Sequence, residues 1–184
     1  MYYTDLVFEY MENDRFSANA YDIFNILADN MTVIAPTGNT REEDYNCWYG
    51  CVSDGLKHNE RKIVLIKDNN VIIGFFQYYL NEDTFMMEEI QLMPEYHGKG
   101  VFRALYNFVI PHIKDDIKFV EAYASVTNSK SIGILEKFGL INIGLNKNGR
   151  SYHFKGYYSD LLKWYNGGNI YKQDIMEITE NYIP

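Results

Sequence analysis

The stretch Pro94-Glu95-Tyr96-His97-Gly98-Lys99-Gly100-Val101-Phe102-Arg103 is the most informative part of this chain. A short apolar run, Ile90 to Met93, precedes it, and apolar residues recur at three- and four-residue spacing from Val101 to Ile113. This pattern predicts a strand, a glycine turn and a helix. The first N–H groups of such a helix lack intrahelical acceptors, and the helix dipole adds positive charge there. Gly98 and Gly100 let a ligand approach the main chain closely, so the turn is a candidate phosphate site, although a simple chain reversal explains it equally well.

A second segment favours the phosphate site. It reads Asn128-Ser129-Lys130-Ser131-Ile132-Gly133-Ile134-Leu135-Glu136-Lys137-Phe138-Gly139-Leu140, and a strand-like run, Phe119 to Ser125, comes before it. Together the two segments resemble the acetyl-CoA-binding core of the GNAT superfamily of N-acetyltransferases. The family's first motif, (Arg/Gln)-x-x-Gly-x-(Gly/Ala), stands here as residues 97–102, and its second motif, which begins with Asn, is followed closely by residues 128–140. The resemblance covers roughly residues 62–157.

The resemblance implies an α+β fold, in which helices flank a central mixed, mostly antiparallel, twisted sheet. It implies one GNAT-like acetyltransferase domain over residues 1–184, with a cofactor core at about 62–157 and acceptor-side helices at about 1–60. The implied reaction moves an acetyl group from acetyl-CoA to a primary amine by direct attack in a ternary complex. Acetyl-CoA is then a co-substrate, and no metal takes part.

The resemblance also assigns residues to the cofactor. The main chain at Leu92 and Met93 would align the pantetheine arm, and an N–H there would polarise the thioester carbonyl. Asn128 would position the thiol end through its side-chain amide. His97 is interpreted as a donor that stabilises the turn rather than as a catalyst. The expected cofactor-binding residues are Leu92, Met93, His97, Gly98, Lys99, Gly100, Val101, Phe102, Arg103, Asn128 and Ser131.

Three carboxylates are candidates for the base, because an amine must lose a proton before it attacks. Glu88 and Glu89 lie on the strand that the family uses for this purpose, and Glu121 lies on the next strand. Neighbouring residues of a strand point to opposite faces unless a bulge intervenes. Glu89 shares its face with Gln91 and is slightly favoured. Each of the three is also compatible with an ordinary solvated carboxylate.

Two positions depart from the family pattern. Leu135 stands where the family often has a tyrosine that protonates the departing thiolate, so Tyr157, Tyr158 or water must serve instead. A thiol with a pKa of ~8.5 makes unassisted departure tolerable. Phe102 replaces a small Gly or Ala, and its ring can enter the core or crowd the phosphates.

Two alternative functions follow from other features of the sequence. The substitution at Leu135 is compatible with a non-catalytic acyl-CoA-binding or regulatory module of the same fold. The many tyrosines, and the weakly patterned tail from Asn166, are compatible with an assembly protein that self-associates.

The charge distribution restricts the partners. A net charge of −8 argues against nucleic acid. The segment from Tyr96 to Lys114 nevertheless contains no acidic residue, and it carries His97, Lys99 and Arg103 where the phosphates are expected. Residues 1–5 contain no basic residue, and no apolar run reaches the ~18 residues of a membrane span. We therefore expect a cytoplasmic protein without membrane or nucleic-acid partners.

The sequence does not identify the amine that accepts the acetyl group, and a homodimer is possible. Cys47 and Cys51 lack a partner Cys or clustered His, so we expect core or helix-face thiols rather than ligands or a disulfide.

Carboxylates and aromatic rings on the acceptor side would suit a cationic amine, or they form the outer face of an ordinary surface helix. They are Glu12, Asp14, Glu42, Glu43, Asp44, Tyr45, Trp48 and Tyr49.

Overall fold

The computed structural model describes residues 6–58 and 61–167. The strands within this part are β1 (Leu6–Tyr10), β2 (Lys62–Asp68), β3 (Val71–Asn81), β4 (Thr84–Leu92), β5 (Phe119–Ser125), β6 (Ile141–Leu145) and β7 (Ser151–Tyr157). The α-helices are α1 (Phe16–Ile34), α2 (Arg41–Lys57), α3 (Val101–Val109), α4 (Ser129–Lys137) and α5 (Tyr158–Tyr165).

The strands form one mixed sheet in the order β1-β2-β3-β4-β5-β7-β6. Strands β4 and β5 are parallel, whereas the pairs β1–β2, β2–β3, β5–β7 and β6–β7 are antiparallel. The predicted α+β class with a mixed sheet is confirmed. The described residues form two compact units: the first lies within Met1–Tyr79 and Glu88–His112, and the second within Leu80–Met87 and Ile113–Pro184.

Helices cover both faces of β2 and β3 in the first unit. Helix α3 covers one face, where Phe108 contacts Tyr10 with ring centroids 5.3 Å apart, and Tyr106 contacts Phe76 at 6.1 Å. Residues 63–66 of β2 are all buried because successive side chains point to opposite, covered faces. The core against α1 and α2 on the other face is formed by Met11, Phe16, Ala20, Ile23, Val52, Leu56, Ile63, Leu65 and Phe75.

Strand β5 of the second unit alternates in character. Val120, Ala122 and Ala124 are buried, and helices α4 and α5 pack against this strand. Glu121 and Tyr123 point to the opposite face. This alternation leaves a row of polar groups on one face of the second unit.

The run Thr40-Arg41-Glu42-Glu43 predicts a helix that begins with a capping box, and α2 confirms it. The Thr40 hydroxyl accepts a hydrogen bond from the Glu43 N–H, and the Glu43 carboxylate accepts one from the Thr40 N–H at 2.7 Å. The sequence also predicts a first helix that is capped by Ser17 and runs to about Asn30. This start is wrong, since α1 begins at Phe16 and continues to Ile34. The Ser17 hydroxyl instead bonds that of Tyr49 at 3.0 Å, so a tertiary contact uses the group that would have capped the helix.

Three further boundaries test the sequence-based prediction. Pro111 is predicted to kink or end the helix after the glycine turn, and α3 does end at Val109, with Pro111 in a 3-10 turn directly after it. The sequence predicts a short helix through Tyr165 that is capped by Ser159 or Asp160. Helix α5 instead begins at Tyr158, so neither residue is its N-cap, and the Asp160 carboxylate accepts from Lys163 at 2.8 Å. Strand β1 was not predicted at all.

Candidate functional site

The glycine turn between β4 and α3 presents free main-chain donors. Gly98 has φ of 73° and Gly100 has φ of 79°, which is the left-handed region that favours glycine. A Cβ placed on either glycine would meet no heavy atom within 4 Å, so open space adjoins the turn. Among the described residues, no acceptor is recorded for the N–H groups of Gly98, Gly100, Val101 and Phe102. These N–H groups, at the start of α3, form an anion-binding geometry.

Side chains tie this turn to the ends of two strands. The His97 Nε2–H donates to the Leu92 carbonyl at 3.1 Å, which is the turn-stabilising role expected for His97. The Tyr96 hydroxyl donates to Asp68 at the end of β2, at 2.7 Å. The ammonium of Lys99 lies 5.7 Å from the centre of the Tyr96 ring. Phe102 is half-buried and Arg103 is exposed.

The end of β4 is already bonded within the first unit. The Met93 N–H donates to the Ile73 carbonyl at 2.8 Å, and the Leu92 carbonyl accepts from Asn30 Nδ2 at 2.9 Å as well as from His97. The expected donor to the thioester carbonyl is therefore not the N–H of Met93. Strands β3 and β4 approach each other closely here, and Gly74 leaves the necessary room. A Cβ on Gly74 would lie 2.5 Å from Leu92 Cδ2.

Glu88 is neutralised by a cation. Its carboxylate accepts from Arg61 Nε at 2.6 Å, from Arg61 Nη2, and from Gln77 Nε2 at 2.8 Å. Arg61 also donates to the Cys51 carbonyl of α2 at 2.7 Å, which places Glu88 on the face that α1 and α2 cover. This bonding suits a structural ion pair rather than a base.

Glu89 lies on the same face as Glu88. Its carboxylate accepts from Gln91 Nε2 at 2.6 Å, and Gln91 in turn accepts from Asn30 of α1 at 2.7 Å. Two successive residues can share a face only if the strand departs from regular alternation between them. The irregularity allowed for in the sequence therefore lies between these two glutamates.

Glu89 has the electrostatic properties of a base. Its side chain is half-buried. Removal from water raises its pKa to about 7; hydrogen bonds from Gln91 and the Ile90 N–H oppose the rise, and the charge of Glu88 adds to it. Within residues 6–58 and 61–167 no cation pairs with this carboxylate. A group with a near-neutral pKa can accept and release a proton at physiological pH.

Glu121 belongs to the second unit and is poorly suited to be a base. It accepts from His153 Nε2 at 2.8 Å and from Lys155 Nζ at 2.7 Å. The bond from His153, together with Lys155, lowers the pKa of Glu121 to about 2. Such a carboxylate holds a proton too weakly to take one from an amine. The structure thus argues against this third candidate.

Helix α4 begins at the second motif. Asn128 is its N-cap, and the Asn128 Oδ1 accepts from the Ser131 N–H at 3.1 Å. Leu135 is buried, so no hydroxyl stands at the family's usual tyrosine position. Burial, aided by the charge of Asp115, raises the pKa of Tyr158 to about 12, which makes it a weak acid. The Tyr157 ring stacks on Phe119 with centroids 5.7 Å apart.

Five of the acidic and aromatic candidates on α2, which are Glu43, Asp44, Tyr45, Trp48 and Tyr49, make structural contacts. Glu43 caps the helix, and Asp44 accepts from Thr37 at 2.6 Å and from Asn39 at 3.0 Å. The rings of Tyr45, Trp48 and Tyr49 pack on the α1 core. These contacts support the alternative of an ordinary helix. Cys47 and Cys51 are free and exposed, as expected for helix-face thiols.

An open groove of about 630 Å³ lies in the first unit between α1, the β2–β3 turn and the segment after β4. Its carboxylates are Asp22, Asp29 and Glu95, and Asn30 and Met93 also line it. Asp29 pairs with Arg41 at 2.8 Å. Asn30, which lines the groove, hydrogen-bonds Gln91, and Gln91 hydrogen-bonds Glu89. The groove therefore lies next to the residues that contact the candidate base.

Several of these site residues could not be found from sequence. Asn30 and Arg61 bond partners 61 and 27 positions away, and no local pattern marks them. His153 and Lys155 were missed as well. Glu121 and Lys155 are directly opposed in the β5–β7 pair, and this pairing of opposite charges can be seen only once the strand register is known.

Comparisons with known proteins agree with the fold. A model of the acetyltransferase (GNAT) family matches residues 20–140. The PaiA N-acetyltransferase of Thermoplasma acidophilum, solved with coenzyme A, has a TM-score of 0.68 and 14% identity, over 84% of this chain and 100% of that chain. A spermidine N-acetyltransferase of Vibrio cholerae, solved with CoA and spermine, has a TM-score of 0.58 and 19% identity, over 86% and 99%.

Comparison with curated protein sequences gave no match. In the part of the chain that the structure describes, no helix is long and apolar enough to cross a membrane. The family match spans well over half of the chain and both motifs begin within it. This chain belongs to the GNAT acetyltransferase family and is an acyltransferase.

Proposed function

We propose that this protein is an N-acetyltransferase that moves the acetyl group of acetyl-CoA to a primary amine by direct attack in a ternary complex. The observation that carries the proposal is the presence, at one strand end, of an open glycine turn and a carboxylate of near-neutral pKa. We further propose that residues 1–184 act as one domain, since the family match includes parts of both units.

The free donors of the turn support acetyl-CoA as the co-substrate. The N–H groups of Gly98, Gly100, Val101 and Phe102 would bind its pyrophosphate, and the side chains of Lys99 and Arg103 would add positive charge. The main chain at Leu92 and Met93 would run beside the pantetheine arm. Asn128 has its Oδ1 committed to the helix cap, which leaves its Nδ2–H₂ as the donor toward the thiol end. The coenzyme A complex of the Thermoplasma relative is consistent with this role.

Glu89 would act as the base. The acceptor's ammonium gives one proton to the Glu89 carboxylate, and the amine nitrogen then attacks the thioester carbonyl carbon. The tetrahedral intermediate then collapses with cleavage of the carbon–sulfur bond, and the second proton of the attacking nitrogen passes through water to the departing sulfur, giving the acetylated amine and the coenzyme A thiol. Because Leu135 offers no hydroxyl, water would carry this proton. Most of the rate would come from holding amine and thioester together.

The acceptor that best fits is a cationic primary amine. The carboxylates of the groove beside α1 support this class, as does the spermine complex of the Vibrio relative. A screen of polyamines, aminoglycosides, amino acids and peptide N-termini, read by release of the coenzyme A thiol, tests activity and substrate class together. We expect thiol release with at least one amine; none with any acceptor would contradict the proposal.

The buried Leu135 favours one alternative, a non-catalytic acyl-CoA-binding or regulatory module. Calorimetry separates the two functions. Tight binding of acetyl-CoA without turnover across the acceptor panel would support the binding module, whereas turnover would exclude it.

A further inference from the structure

One asparagine joins the candidate base to the glycine turn within the first unit. Asn30 Nδ2 donates to Gln91 Oε1 at 2.7 Å and to the Leu92 carbonyl at 2.9 Å. Gln91 Nε2 donates to Glu89 Oε1 at 2.6 Å. The Leu92 carbonyl also accepts from His97, which stabilises the turn. A continuous set of hydrogen bonds therefore runs from Glu89 through Asn30 to the turn.

The direction of these bonds depends on Asn30. Because Gln91 Oε1 accepts from Asn30, the amide of Gln91 must turn its NH₂ group toward Glu89. If Asn30 offered an acceptor instead, the Gln91 amide would reverse and turn its oxygen toward the Glu89 carboxylate. Gln91 is only 8% exposed, so bulk water cannot readily replace the lost bond.

We infer that Asn30 is a positioning residue, which orients the Glu89 carboxylate through Gln91 and holds the phosphate-binding turn through the Leu92 carbonyl. The inference depends on the proposed function for the role of Glu89 in the reaction. The hydrogen bonds themselves do not depend on it. A network of this kind would keep the base and the cofactor in a fixed relation, which is what a direct transfer requires.

The charged groups near Glu89 are paired with other residues, so neutral donors orient its carboxylate. Glu88 on the same strand is compensated by Arg61, which also bonds the main chain of α2. On α1 and α2, Asp29 and Arg41 pair with each other. Among the described residues, the side chain that donates a hydrogen bond to Glu89 is that of Gln91.

The isosteric change Asn30→Asp tests the inference, because it replaces a donor with an acceptor. We expect the titration midpoint of Glu89, followed by the ¹³C chemical shift of its carboxyl group, to move upward by about one pH unit. The acid limb of the kcat/KM pH profile should move with it. Asn30→Ala removes the same donors without a new charge, and should produce a smaller shift in the same direction. Thr32→Asp places an equal charge on an exposed part of α1 and should leave the midpoint unchanged.

The second arm measures the link to the turn. Calorimetry with coenzyme A should show several-fold weaker binding to Asn30→Ala than to the wild type, because the Leu92 carbonyl loses a donor. An unchanged Glu89 midpoint in both Asn30 variants, an equal shift in Thr32→Asp, or unchanged coenzyme A affinity would overturn the inference. The NMR titration needs no turnover, so a failed acceptor screen would count against the proposed function while the titration still decides the role of Asn30.

Discussion

Arg61 donates two hydrogen bonds to the carboxylate of Glu88, one of them from Nε at 2.6 Å, and this pair gives adjacent glutamates different properties. Glu88 has a cation, whereas Glu89 receives its side-chain hydrogen bond from a neutral amide and has a raised pKa. Arg61 reaches this position by passing over α2 at Gly55. A Cβ there would lie 2.5 Å from Arg61 Nη1.

Gly55→Ala should therefore displace Arg61. We expect a loss of roughly 1–2 kcal/mol in the free energy of unfolding, since the clash and the lost hydrogen bonds outweigh the gain in helix propensity. Gly50→Ala on the same helix is the matched control, because its Cβ would meet nothing within 4 Å. It should gain up to about 1 kcal/mol. Urea denaturation of both variants measures the difference, and equal effects at the two positions would contradict the assigned role of Arg61.

Glu89→Gln should lower kcat near neutral pH and be partly rescued at high pH. The pKa of Glu89 is about 7, so the wild-type rate should rise with pH through that value as the carboxylate loses its proton. The variant should lose this limb and keep only the dependence on free amine. Rates measured from pH 5.5 to about 10 with one amine test the prediction.

Glu88→Gln provides the control for this pH profile. It removes the neighbouring charge that raises the pKa of Glu89, so the acid limb should persist and move to lower pH. If Glu89→Gln matched the wild type at every pH, another group would be the base.

Local sequence signals account for much of the fold. The capping box of Thr40 and Glu43, and the glycine turn at residues 98–100, depend on residues close together in the chain, and both occur where predicted. The orientation of Glu88 could not be predicted. It depends on Arg61, 27 positions away, and on a departure from strand alternation that no local residue marks.

Strand β1 was missed for a related reason. Its five residues are an edge segment that, within the described part of the chain, pairs with β2; Val7 is 50% exposed and the other four residues are half-buried, so no clear alternating pattern marks the strand. Such a segment becomes a strand because its partner offers a free edge, which is a tertiary effect on local preference.

The Glu121 ion pairs should control stability in acid. The pKa of Glu121 is about 2 in the folded protein, below its value of 4.5 when unpaired. Stability from this group is therefore present above pH 4.5 and lost as pH falls toward 2. We expect about 2 kcal/mol of the free energy of unfolding to be lost over this range.

The variant Glu121→Gln isolates this contribution. It should be destabilised at pH 7 by roughly 2–4 kcal/mol, because Lys155 stays buried without its carboxylate, and it should lose this part of the acid dependence. Glu136→Gln, at an exposed position of α4, is the control and should keep the wild-type loss of stability in acid. Denaturation curves at several pH values distinguish them; parallel curves for the wild type and Glu121→Gln would show that the ion pairs do not set the acid limit.

Gly100→Glu should abolish coenzyme A binding while the fold persists. The new side chain would occupy the open space beside the free N–H groups and place a negative charge where the diphosphate is expected.

Backbone strain is a competing explanation for a loss of binding in Gly100→Glu, because Gly100 has φ of 79°. Gly149→Glu controls for strain, since Gly149 has φ of 69°, also has open space around it, and lies in the turn between β6 and β7. Both variants should lose similar stability, of order 1 kcal/mol, but only Gly100→Glu should lose binding by calorimetry. Equal loss of affinity in the two variants would attribute the effect to strain, and unchanged affinity in Gly100→Glu would place the diphosphate elsewhere.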